Sequence, residues 1–185
     1  GDGGVQVEGV PPEKQLTLDV GRRLRGLLGT RLGLRVVLTR EDDRELGLDE
    51  RAAVANNNKG DLFLSLHANG APSPSMAGAE VLHLQLDPAE AAIGSVEGPA
   101  IPVLGGVTRR IDIVRWDLAQ ARHLDSSTRL ANILEEELRR GAIVMSPRGT
   151  QQAPMRVLTA ANMPAALVQM AYLTNPEQAK LKARE

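Results

Sequence analysis

The chain of 185 residues contains no cysteine. That excludes a disulfide framework and any thiolate metal site, and leaves His, Asp and Glu as the side chains able to ligate a metal. Aromatic residues are almost absent: Phe63, Trp116 and Tyr172 stand against 26 leucines. The core must therefore be aliphatic, and nucleic-acid recognition by stacked aromatics has almost nothing to work with. An excess of one charge is missing too. With 22 basic and 23 acidic residues the formal charge is −1, so the basic surplus on which affinity for phosphate backbones rests is not there. Apolar runs such as Leu62 to Leu66 fall far short of the roughly 20 residues that a membrane span needs. What is present, 42% hydrophobic and 24% charged residues, is the balance of one globular domain with a real core, which rules out a disordered or fibrous chain. The opening Gly1-Asp2-Gly3-Gly4 has neither a starting Met nor a leader-like stretch, and reads as the start of a processed or trimmed piece.

Residues 1 to 12, rich in Gly and Pro, read as an extended loop feeding a helix, since Pro12 suits a helix start. From Glu13 to about Thr30, Leu16, Val20, Leu24, Leu27 and Leu28 recur at helical spacing, with Lys14, Arg22, Arg23 and Arg25 elsewhere on the wheel. Arg35 to Thr39 reads as a short strand, and Leu48 to Asn58 as a second helix. Asp61 to His67 is too short for a normal helix and nearly all apolar, which suits a strand covered on both faces. Ala79 to Leu86 alternates like a strand, and residues 87 to 113, rich in Gly, Pro and Ala, read as an insertion. A long amphipathic helix is expected from about Asp117 to Arg140, then strands at Met155 to Leu158 and Ala165 to Met170, then a short helix opened by Pro176. Strands alternating with helices predict a single α/β domain whose mostly parallel central sheet is covered by helices on both faces.

In an open α/β sheet, ligands bind beyond the carboxyl ends of the strands. His67 ends a buried strand and fits that placement, either as a ligand or as a hydrogen-bonded structural residue. Glu13, in the first turn of its helix, is either a ligand or a favourable charge at the positive end of the helix dipole. His83, mid-strand beside Val81, reads as structural. His123, near the insertion, has the better chance of reaching a site. Arg109 and Arg110, with Arg115 and Arg122, read as a solvated face or as a receiver for an anionic glycan or peptide carboxylate.

Taken together, the pieces resemble a family. Glu13-Lys14-x-x-x-Leu18, Leu38-Thr39-Arg40-x-x-Asp43, Leu48-x-x-Arg51-x-x-x-Ala55-Asn56, Ser65-Leu66-His67-Ala68-Asn69 and Val168 to Pro176 occur in the order found in the zinc-dependent N-acetylmuramoyl-L-alanine amidases of the type-3 class. The likeness covers almost the whole chain and is weakest over residues 87 to 113. It implies a hydrolase acting on peptidoglycan in the periplasm or cell envelope, with Zn2+ as cofactor. It also implies a zinc held by a histidine in a G-H-G-G loop, a glutamate opening the first helix and the histidine of the S-[IL]-H-A-N strand. The last two carry over as Glu13 and His67. Asp2 matches an aspartate that follows the G-H-G-G loop, which puts the first histidine upstream of Gly1; Asp2 as a substituted ligand is the alternative.

The resemblance also brings a departure. The family's catalytic glutamate lies in a strand reading V-E-x-[GA]-[FY]-[LI]-[ST]-N, and here that stretch is Val168-Gln169-Met170-Ala171-Tyr172-Leu173-Thr174-Asn175. Gln169 takes the catalytic position, yet an amide can orient a water and cannot accept its proton. Two other classes therefore stay open beside the amidase: a silent peptidoglycan-binding or regulatory domain, and a zinc hydrolase acting on another amide. In some relatives a helical segment at the place of residues 87 to 113 covers the zinc site until an activator protein removes it, and the same is expected here.

Overall fold

The computed structural model of the chain describes residues 3–93, 95–102, 106 and 108–182. Helix α1 (Glu13–Leu32) is followed by α2 (Leu48–Asn57) and strand β1 (Phe63–Asn69). Strand β2 (Glu80–Leu84), helix α3 (Pro88–Ile93) and the hairpin β3 (Ser95–Pro102) and β4 (Thr108–Val114) come next. A 3₁₀ helix (Trp116–His123) runs into α4 (Leu124–Arg140). The chain then forms β5 (Gln151–Ala153), α5 (Arg156–Thr159), β6 (Ala165–Tyr172) and α6 (Pro176–Lys182).

The central sheet has the order β1-β6-β2-β5. β1 pairs with β6 and β2 with β5 in parallel, while β2 and β6 are antiparallel, so the sheet is mostly parallel, as the alternation of elements predicts. Its two faces carry separate aliphatic clusters. Phe63, Leu82, Leu84, Ala165 and Leu167 pack with Val157, Leu158 and Met163 on one face. Ala79, Val81 and Ala166 pack with Ala131 of α4 on the other, supported by Leu130, Leu134 and Leu138. The alternation of β6 residues between the clusters is the period-two geometry of a strand buried on both sides.

Three expectations change. Residues 35 to 39 form no strand; the segment is tied sideways, with Arg35 donating to Asn58 at 2.7 Å and Arg40 to Thr17 at 3.2 Å and to the Lys14 carbonyl. Between it, α1, α2 and β1 lies a cavity of about 470 Å³, so the apolar stripe of α1 is only half-buried and Leu27 is exposed. Met155 to Leu158 is not a strand either: the sheet edge is made two residues earlier by β5, and Arg156–Thr159 turns into α5, which buries Val157 and Leu158. The expected helix from Asp117 is broken, because Leu118 leaves helical geometry (φ −126°, ψ 26°) and the first two turns are 3₁₀. The insertion has structure of its own, a short helix and a hairpin whose main contacts are with each other and with the 3₁₀ helix.

That 3₁₀ segment does one decisive thing: it buries Gln120. The Gln120 amide donates to the carbonyls of Ala161 (2.7 Å) and Met163 (2.8 Å), its oxygen accepts from the Ser127 hydroxyl, and the Ser127 oxygen accepts from Ala165 N–H at 3.0 Å. Gln120 and Ser127 are fully buried, and together they fix the turn that launches β6. Gln120→Leu leaves these carbonyls and the hydroxyl without partners in a dry core, and is expected to cost on the order of 2–4 kcal/mol. Urea unfolding followed by circular dichroism measures this; a loss below about 0.5 kcal/mol, the range of neutral surface changes, would show that the network is dispensable.

Candidate active site

The carboxyl ends of β1 and β6 lie side by side, with His67 opposite Gln169. β2 runs the other way, so its first residue, Glu80, stands opposite Gln169 on the far side. His67, Gln169 and Glu80 therefore form one cross-strand row, and directly opposed residues present their side chains to the same face. Glu13 reaches the row from the first turn of α1, its Oε1 lying 2.9 Å from His67 Nδ1.

The surroundings of Glu13 explain how a half-buried carboxylate stays charged. Its Oε2 accepts from Val5 N–H at 2.9 Å and its Oε1 from Ala68 N–H at 3.2 Å. The Ala68 donor is free to do so because the β1–β6 register shifts between His67 and Asn69. Gly4, at φ +58°, makes the approach of the N-terminal loop possible: a Cβ there would stand 2.2 Å from Glu13 Oε2. Burial pushes the Glu13 pKa up, but the bonds from His67, Val5 and Ala68 outweigh it and the net shift is downward. A carboxylate that is ionised and aimed at an imidazole nitrogen supplies two donors suited to zinc. Among the described residues, no group of three or more His, Asp or Glu side chains could hold a metal, and Asp2 lies outside those residues.

Gln169 accepts a hydrogen bond from Asn69 Nδ2 at 2.9 Å through its Oε1, which leaves its Nε2 group as the part able to meet a ligand. A cavity of about 90 Å³ adjoins Glu13 and His67, lined also by Lys14, Arg40 and Arg51. His83 is buried against Thr128 at 3.2 Å, and burial pushes its pKa down; it belongs to the α4 side, as expected of a structural residue. His123 pairs with Asn162 at 3.1 Å and starts α4, away from the row. The side chains of Arg109 and Arg110 lie outside the described residues, and Arg115 is exposed and paired with Asp117.

Several motif residues turn out to be scaffolding. Asn56 ties α2 to the turn before β6, donating to the Ala160 carbonyl (2.8 Å) and accepting from Asn162 N–H (2.9 Å). Asn175 Oδ1 caps α6 through Glu177 and Gln178 N–H, and its amide holds the Pro74 carbonyl. Sequence reasoning missed Glu80, Arg148 and Tyr172. Arg148 clasps the Glu80 carboxylate with Nε (2.9 Å) and Nη2 (3.0 Å), and Nη2 also donates to Tyr172 OH at 2.7 Å. The signal available was an acid standing in the apolar run Ala79 to Leu84.

Over residues 1–185 the chain matches the Amidase_3 family, N-acetylmuramoyl-L-alanine amidase. It is 32% identical over 197 residues to N-acetylmuramoyl-L-alanine amidase AmiC of Neisseria meningitidis serogroup B, covering 100% of this chain and 47% of that protein. It is 30% identical over 177 residues to AmiA of Escherichia coli K12, covering 91% and 61%. The crystal structure of the amidase Ami1 from Mycobacterium smegmatis matches it with a TM-score of 0.70 at 26% identity, covering 97% of this chain and 71% of that one. The chain spans about half to three fifths of the length of the curated relatives. With its whole length matched and the same α/β architecture, the chain belongs to the N-acetylmuramoyl-L-alanine amidase family.

Proposed function

We propose that this domain is a peptidoglycan hydrolase that cleaves the amide between the lactyl group of N-acetylmuramic acid and L-alanine. The observation that carries the reading is the convergence of Glu13, His67 and Gln169 at the carboxyl ends of β1 and β6. The family is generally zinc-dependent. In this reading Glu13 and His67 are two of the zinc donors, and a third lies outside the described residues. Bound zinc supplies Lewis acidity toward the amide carbonyl and lowers the pKa of a water to about 7. Glu13 is held as an anion by its hydrogen bonds, so a cation bound there would not have to force a half-buried acid to ionise.

Gln169 can hold a water or the amide nitrogen through Nε2, while Asn69 fixes its orientation. It cannot take a proton from the one or give it to the other. That single residue favours a second reading, a peptidoglycan-binding domain that keeps the groove and lacks the base. Peptidoglycan lies outside the cytoplasmic membrane, so both readings put the protein in the periplasm or cell envelope. Among the described residues no helix is long and apolar enough to cross a membrane. An activator protein belongs to the proposal as well, acting on the insertion seated against the 3₁₀ helix.

Two measurements test these assignments. Zinc affinity, measured by titration against a competing chelator, is expected to fall at least about tenfold in His67→Ala and in Glu13→Ala, since loss of even a supporting residue costs that much; unchanged affinity in both variants would remove them from the site. Gln169→Glu keeps the shape and the bond from Asn69, and adds a base. It is expected to raise zinc-loaded dye release from labelled cell walls by about 10²- to 10⁴-fold, the usual contribution of general acid–base catalysis. Full activity with Gln169 in place would assign the base to another residue, and equal inactivity of both forms would favour the binding domain.

A further inference from the structure

The Glu80–Arg148 pair lies one strand beyond Gln169 and takes no part in holding Glu13 or His67. Its burial is lopsided: the Glu80 side chain is 2% exposed and that of Arg148 53%. Both Glu80 oxygens and the inner edge of the guanidinium, Nε and Nη2, are used up on each other and on Tyr172. Nη1 is different. Among the described residues it meets no acceptor, so two N–H groups of a permanently charged fork face outward. The fork is also held still. Ser146 N–H bonds the Ala79 carbonyl at 2.8 Å, and Glu135 accepts from Thr150 N–H at 2.8 Å and from its hydroxyl, clamping the loop on both sides of Arg148. Gly78, at φ +100°, lets that loop come close; a Cβ there would stand 2.3 Å from Ser146 N.

We propose that Arg148 is a specificity-determining residue that binds a carboxylate on the peptide side of the substrate, a few residues beyond the scissile amide. The inference rests on the amidase reading and extends it. Two strand spacings, about 10 Å, separate the backbone at His67 from that at Glu80, a span covered by about three residues of extended peptide. The glycan side of muramic acid carries no free carboxylate once its lactyl group is amide-linked, whereas the stem peptide does. A guanidinium oriented in advance by a buried acid loses little freedom on binding, and a charge-assisted bond of this kind favours a carboxylate over a neutral amide by about 10- to 100-fold.

The test uses two soluble probes, N-acetylmuramoyl-L-alanyl-γ-D-glutamyl-diamino acid with a free α-carboxylate on the second residue, and the same molecule as the carboxamide. Their affinities for the zinc-loaded chain are measured by calorimetry, each variant's affinity for the carboxamide setting its own baseline. The expected result is a carboxylate preference of at least about tenfold in the parent chain. Arg148→Lys keeps an ion pair with Glu80 but loses the outward fork, and Glu80→Gln with Arg148→Gln removes the buried charge together with its partner, so neither strands an ion in the core. Both are expected to drop the preference below about threefold, with melting midpoints confirming that they fold. A purely structural Arg148 would move stability without moving this ratio. A parent chain that binds both probes equally, or an Arg148→Lys form that keeps the full preference, overturns the proposal and leaves the amidase reading standing. Binding of neither probe overturns both.

Discussion

Strand β6 is threaded between a parallel and an antiparallel neighbour, and the register of that one strand sets which residues stand on either side of Gln169. It puts Gln169 beside His67 on one side and beside Glu80 on the other. A slip of one residue would turn Gln169 toward the α4 face and bring Val168 or Met170 into the row, because strand side chains alternate. The register is held from two directions. Leu167 and Ala166 are buried in opposite clusters, so a slip would exchange their environments. The fully buried Gln120 and Ser127 fix the turn just before the strand, and a misplaced turn would leave their polar atoms dry and unpaired.

Within this frame two acids face each other across Gln169 and are stabilised differently. Glu13 is kept anionic by backbone N–H groups and His67, partners that a cation can supplement without expelling a rival charge. Glu80 is neutralised in place by Arg148, and so leaves the guanidinium, rather than the carboxylate, as the group the solvent meets. One side of the row thus carries an ionised carboxylate beside an imidazole and the other an outward guanidinium. A substrate with an amide carbonyl at one point and an acidic peptide further along suits that polarity.

Much of this was legible beforehand. The helical period from Leu16 to Leu28, the short apolar run ending at His67 and the Pro at residue 176 each state their element locally. Arg35 to Thr39 did not, because a β-branched run reads as a strand whether or not a neighbour accepts its hydrogen bonds, and here Arg35 and Arg40 bind α1 and Asn58 instead. Met155 to Leu158 failed for a related reason: four residues carry too little periodicity to separate a strand from a helical turn that buries Val157 and Leu158.

The sequence by itself determined the aliphatic core, the α/β alternation and the chemistry on offer: a carboxylate at a helix start, an imidazole at a strand end, and an amide where a base is expected. Those are properties of residue type and local spacing. Only the tertiary structure decided that Glu13 and His67 meet across 54 positions of chain, that the Ala68 amide is released to join them, and that Glu80 has Arg148 for its counter-ion 68 positions away. Pairing at such separations depends on strand order and register, and these follow from how the whole core packs rather than from any segment taken alone.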